Sequence, residues 1–240
     1  KTTLAKAILY LDPPTSGEVI FDGVILGSLK TRELRAFRRR MQIVFQDPHS
    51  SLDPRMTIID SLSEGLINLG IERIKREKKI NRLLDLVGIS PSLGTRFPHE
   101  FSTGQRQRIV IARALTMDPE FLILDEPVSN LDVSIQAQVV NLLLDLKKEL
   151  GLTYLFISHD INLVGYMCDT IAVMYKGRIV EQAPAEKLLK YPQDDYTRML
   201  LSSIPGGGNI DSPCVLAEVN ALSDVSASLG LRPDHEEGIK

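Results

Sequence analysis

Phe121-Leu122-Ile123-Leu124-Asp125-Glu126-Pro127 is an apolar run that stops at two adjacent acids. Phe121 to Leu124 has strand length and no polar alternation, the pattern of a parallel strand buried on both faces. Beyond it, Ile135, Val139, Leu142, Leu143, Leu146 and Leu150 recur at helical spacing, and Gly151 follows as a stop. Thr153-Tyr154-Leu155-Phe156-Ile157 is a second apolar strand. Strand, helix, strand implies a parallel sheet, so the fold class is α/β. Such sheets bind ligands at the C-terminal ends of their strands. Asp125 and Glu126 fall there, and so does His159, just past the second strand. Desolvated carboxylates are costly without a partner. A bivalent cation and a water nucleophile would supply one; a solvated strand-end pair is the plainer alternative.

Outward from this unit the text is less regular. Val19-Ile20-Phe21 reads as a short strand closed by the turn pair Asp22-Gly23. Met41 to Phe45 is another apolar strand, ending at Gln46 on the same expected edge. Between them Arg32, Arg35, Arg38, Arg39 and Arg40 make a basic stretch, either a solvated helix face or a phosphate contact. From Pro48 to about Arg106 the pattern changes, and Ile74, Ile80, Leu83, Leu84 and Val87 mark a mostly helical insert. Ile171 to Tyr175 and Arg178 to Glu181 flank Lys176-Gly177 and read as a hairpin. After Pro205 the run Gly206-Gly207-Gly208 breaks the pattern, and the tail to Lys240 reads as loosely ordered.

The 240 residues carry 28 basic and 31 acidic side chains, a net charge of −3, so no global nucleic-acid footprint exists and no nucleic-acid partner is expected. No apolar run approaches bilayer-spanning length, and no signal peptide is visible. Cys168 and Cys214 stand too far apart for a short metal motif and read as reduced thiols of a cytosolic protein.

Lys1-Thr2 fits the last two positions of the phosphate-binding loop G-x-x-x-x-G-K-[ST], in which the lysine reaches the β- and γ-phosphates and the hydroxyl binds Mg²⁺. The sequence opens where such a loop should be ending, which reads as a truncation within it. The pair has no specificity alone. It gains some from Val44-Phe45-Gln46, Phe101-Ser102-Thr103-Gly104-Gln105, the Asp125-Glu126 stretch and Ile157-Ser158-His159-Asp160, in that order. Together these resemble the ATP-binding subunit of an ABC transporter, from Lys1 to about Pro205.

The resemblance implies a P-loop NTPase of RecA-like type, a parallel-sheet core with an ABC-type helical subdomain. Its parts would be 1–47 and 114–204 for the nucleotide-binding core and 48–113 for the helical subdomain with the signature, with 205–240 as tail. It implies ATP and Mg²⁺ as cofactors. Lys1, Thr2 and Thr3 would hold phosphate; Thr2, Gln46 and Asp125 would hold the metal. Glu126 would be the general base, His159 the γ-phosphate switch, and Gln46 the link to membrane subunits. Ser102, Gly104 and Gln105 would complete the site of a second subunit, and Asp132 would stabilise that pairing. Thr103 stands where the family usually has glycine, and crowds the turn if φ there is positive or the packing is tight.

Gln46-Asp47-Pro48-His49-Ser50-Ser51-Leu52-Asp53-Pro54-Arg55-Met56, Pro98 to Ser102, Leu131 to Gln138 and Tyr196-Thr197-Arg198 most resemble dipeptide and oligopeptide importer ATPases. That branch implies a peripheral subunit on the cytoplasmic face of the membrane. Its partners would be two permeases, a second ATPase subunit in a homo- or heterodimer, and indirectly a peptide-binding protein. Leu52 and Met56 would be apolar contacts for the permease. An ATPase-inactive fragment and a soluble, non-transport ABC ATPase stand as alternatives.

Overall fold

The computed structural model describes residues 1–202 and 214–219. It opens with helix α1 (Thr2–Ile8). Strands β1 (Ile20–Phe21) and β2 (Val24–Ile25) form a hairpin on Asp22 and Gly23, with φ of 52° and 73°. Two successive left-handed residues make the turn whose twist matches paired strands, which explains Asp-Gly there. Helix α2 (Thr31–Arg40) runs directly into β3 (Met41–Val44). Next come α3 (Pro48–Ser51), α4 (Ile58–Asn68), α5 (Arg73–Leu86) and α6 (Thr103–Leu115), which pack on one another. Strand β4 (Phe121–Asp125), α7 (Val133–Leu150) and β5 (Thr153–Ser158) form the crossover unit expected from the apolar runs. Helix α8 (Ile161–Met167), the hairpin β6 (Thr170–Tyr175) and β7 (Arg178–Pro184), α9 (Ala185–Lys190), α10 (Asp195–Ser202) and β8 (Cys214–Val219) complete the described chain.

The main sheet has the order β3-β4-β5-β8-β6-β7. Strands β3, β4 and β5 are parallel, with Val44 beside Leu124 and Asp125 beside Ile157. Their C-terminal ends therefore open on one edge, and that register places the site. Strand β8 lies antiparallel between β5 and β6. It falls within the stretch expected to be a loosely ordered tail, which here contains a paired strand; the rest of that expectation lies outside the described residues.

The core follows the pattern of the apolar runs. Leu122, Ile123, Leu124, Tyr154, Phe156 and Ile157 are fully buried. The Tyr154 hydroxyl satisfies itself on the Leu143 carbonyl at 2.9 Å, so α7 is tied to β5 by a polar bond inside the core. Helix α7 ends where Gly151 takes φ 65° and its N–H caps Lys147 O. Leu52 corrects one expectation. It is only 3% exposed and belongs to the main core, so it is not the exposed apolar contact expected of it.

The basic helix α2 divides its charges. Arg32, Arg35 and Arg39 are exposed, whereas Arg38 donates to the Leu9 and Tyr10 carbonyls at the end of α1. Arg40 donates to Glu120 at 2.7–2.8 Å and to Asp22 at 2.7 Å, and its guanidinium lies over the Phe21 and Phe37 rings. This cluster closes the N-terminal edge of β3 and β4, opposite the acids. Among the described residues no helix is long and apolar enough to cross a membrane.

Candidate functional site

Glu126 is the centre of a polar cluster at the C-terminal strand edge. Its N–H donates to Ile157 O at 2.9 Å, which extends the β4–β5 ladder one residue beyond β4. Its φ is then 50°, a left-handed conformation that costs a glutamate about 1–3 kcal/mol. Ser129 secures this turn by donating its hydroxyl to Glu126 O at 3.1 Å.

The carboxylate has three neighbours. Lys1 Nζ donates to Oε1 at 2.6 Å, Gln46 Nε2 donates to Oε2 at 3.2 Å, and His159 Nδ1 lies 3.3 Å from Oε2. Burial pushes the Glu126 carboxyl up. The Lys1 ammonium, with a smaller contribution from His159, outweighs that and holds it below the usual glutamate range. Asp125, only 2% exposed, accepts from Thr2 Oγ1 at 2.7 Å. Gln46 also donates to Ser129 Oγ at 3.3 Å, a contact that sequence reasoning missed.

Among the described residues no group of three or more His, Cys, Asp or Glu could hold a metal ion. What exists is one buried carboxylate joined to one hydroxyl, Asp125 with Thr2. Such a pair fits Mg²⁺, which binds through one or two protein oxygens and fills its octahedron with phosphate and water. A cavity of about 850 Å³, lined in part by Thr2, Lys6, Gln46, Asp47 and Asp125, gives that ligand room. Thr3, beside Thr2 on α1, is exposed and, among the described residues, makes no side-chain hydrogen bond to the cluster.

Ser102, Gly104 and Gln105 stand elsewhere, at the N-terminus of α6. Ser102 Oγ accepts from Gln105 N at 3.3 Å, and Gln105 Oε1 accepts from Ser102 N at 3.0 Å, a reciprocal cap. Thr103 is the first residue of the helix, not a positive-φ turn residue, and its hydroxyl accepts from Arg106 Nη2 at 3.2 Å. The crowding expected of a β-branched residue therefore has no backbone basis. Gly104 packs against Ile135 of α7. Asp132 caps that same helix, accepting from Ile135 N at 3.0 Å, so the α6 turn and Asp132 share one surface region.

A family model described as "ABC transporter" matches residues 1–129. A putative peptide import ATP-binding protein of Brucella ovis is 56% identical over 209 residues, which are 85% of this chain and 65% of that protein. The oligopeptide transport ATP-binding protein OppF of Bacillus subtilis is 52% identical over 208 residues, 85% of this chain and 68% of its own length. The chain thus spans about two thirds of such relatives. Among solved structures, cbiO1 from Clostridium perfringens, part of the ABC transporter complex cbiONQ, superposes with a TM-score of 0.72. It is 30% identical, over 85% of this chain and 79% of that one. The ATP-binding cassette MJ0796, in a dimeric post-hydrolysis state bound to ADP and Pi, gives a TM-score of 0.67 at 29% identity, over 77% of this chain and 80% of its own.

Proposed function

The chain belongs to the ABC transporter family, and from that we propose that it is the ATP-binding, ATP-hydrolysing subunit of a peptide importer. The observation that carries the reading is the Glu126 carboxylate, held among Lys1, Gln46 and His159 beside the buried Asp125–Thr2 pair. In the proposed reaction Lys1 exchanges Glu126 for the β- and γ-phosphates of ATP. Glu126 then accepts the proton of a water as its oxygen bonds the γ-phosphorus and the bond to ADP breaks. His159 faces the γ-phosphate and Gln46 orients the water. Thr2, Asp125 and Gln46 would hold Mg²⁺, and the ion would supply neutralisation of phosphate charge.

The relatives' names support peptide as cargo and a membrane permease as partner. The reading places the subunit on the cytoplasmic face of the membrane, paired with a second ATPase subunit whose site Ser102, Gly104 and Gln105 complete, with Asp132 at the seam. Peptide reaches the permease from a binding protein. With the Leu52 side chain mostly in the core, permease contacts fall to the mixed cleft lined by Ser50, Ser51, Asp53, Pro54 and Met56.

The deciding measurement is steady-state hydrolysis of Mg·ATP in the assembled transporter. Glu126→Gln is expected to lose ~10²–10⁴-fold in rate while still binding nucleotide. Near-normal turnover in that variant removes Glu126 from the role of base.

A further inference from the structure

The C-terminal part of α6 is gripped from outside the helix. Arg113 Nη1 donates to Ser51 O at 2.7 Å, and Nη2 donates to Glu64 Oε2 at 3.0 Å. Ser51 ends α3, the short helix that begins just after Gln46 and Asp47, and Glu64 lies in the middle of α4. One guanidinium thus joins α3, α4 and α6. The Arg113 and Glu64 side chains are 41% and 54% exposed, and an ion pair that open to water contributes little stability. What the planar fork does supply is geometry, because its two donors fix two acceptors at once.

Both ends of this linkage lead to candidate site residues. Gln46, at the start of the segment, touches Glu126. Ser102, at the other end of α6, lies about 16 Å from Arg113 at 1.5 Å per residue. A helix with intact backbone bonds moves over that length as a rod. Arg113 and Glu64 also border a cavity of about 450 Å³ with Ser50, Asp53 and Met56. A segment seated there would press directly on the Arg113–Glu64 pair.

We infer that Arg113 is a positioning residue for hydrolysis, locking α6, and Ser102 with it, to the segment that leaves Gln46. This rests on the ATP-hydrolysing reading of the site. Arg113 touches no reacting atom, so its loss should leave nucleotide binding intact and slow turnover.

The test compares Arg113→Ala and Arg113→Lys in the assembled transporter. ATP affinity, read by titration with a fluorescent nucleotide, is expected to change less than twofold. The kcat is expected to fall tenfold or more for Arg113→Ala. Arg113→Lys, which keeps the charge without the fork, should lie between. In a Ser102→Ala background Arg113→Ala should cost less than a further twofold, because the group it positions is already gone. Rate factors that multiply in the double variant overturn the proposal, as does a loss of affinity that parallels the loss of kcat in both single variants. Glu126→Gln, assayed beside them, separates the two failures. Retained hydrolysis there sinks the assignment of the base; multiplied factors with Glu126→Gln inactive sink the positioning role alone.

Discussion

Gly104 has no room for a methyl group. A Cβ built there would lie 2.4 Å from Ile135 Cγ2, so the glycine is required by helix packing at a position where φ is not positive. Gly104→Ala is expected to destabilise the chain by ~1–3 kcal/mol through overpacking, and Ile135→Ala should recover part of that loss in the double variant. Additive losses in urea unfolding would rule out the clash. Thr103 calls for the opposite treatment. Its hydroxyl holds Arg106, so Thr103→Gly gives up a hydrogen bond and adds backbone freedom at the start of a helix. The expected cost is roughly 1 kcal/mol, and ATP-driven pairing measured by light scattering should fall. A rise in pairing would restore the crowding idea. The sequence alone left both outcomes open at Thr103, because whether a residue opens a helix or turns before it depends on the cap that Ser102 and Gln105 form together.

The strands were legible because burial on both faces writes itself as an unbroken apolar run, as in Phe121–Asp125 and Thr153–Ser158. Helix α7 was legible from its stripe and from Gly151. That stop can be tested cleanly. A Cβ at Gly151 meets nothing within 4 Å, so Gly151→Ala pays only for its left-handed backbone. We expect a loss of about 1 kcal/mol in urea unfolding, with hydrolysis unchanged. A neutral or stabilising result would mean that the helix end relaxes. Strand β8 was not legible, since a short segment in a Gly- and Ser-rich stretch carries no periodic signal, and only pairing with β5 and β6 makes it a strand. Leu52 misled for a similar reason: a leucine between prolines reads as exposed until helices close over it. The edge that gathers Asp125, Glu126 and His159 followed from parallel strands alone. The Ser129 and Arg113 contacts did not, because they pass through a turn and a carbonyl that no residue pattern announces.

The acid limb of stability is a property of the whole molecule. Hydrogen bonds from Arg40 hold the Glu120 carboxyl below its ordinary value near 4.5, and the Lys1 pair does the same for Glu126 against its burial. A carboxylate with a lowered folded pKa stabilises the chain fully above its unfolded value and loses that contribution as pH falls through the folded one. The thermal midpoint should therefore stay level above about pH 5 and decline below about 4.5, and Arg40→Ala should flatten part of that decline. Parallel midpoint curves for the two proteins between about pH 6 and 3 would exclude Arg40 as a cause. The Arg40–Glu120–Asp22 cluster has a practical corollary for anyone altering this chain. It closes the sheet at the edge opposite Glu126, so the two ends of the same strands can be varied separately. Libraries aimed at robustness belong around Phe21, Phe37 and Glu120, where a change in melting need not be bought with turnover.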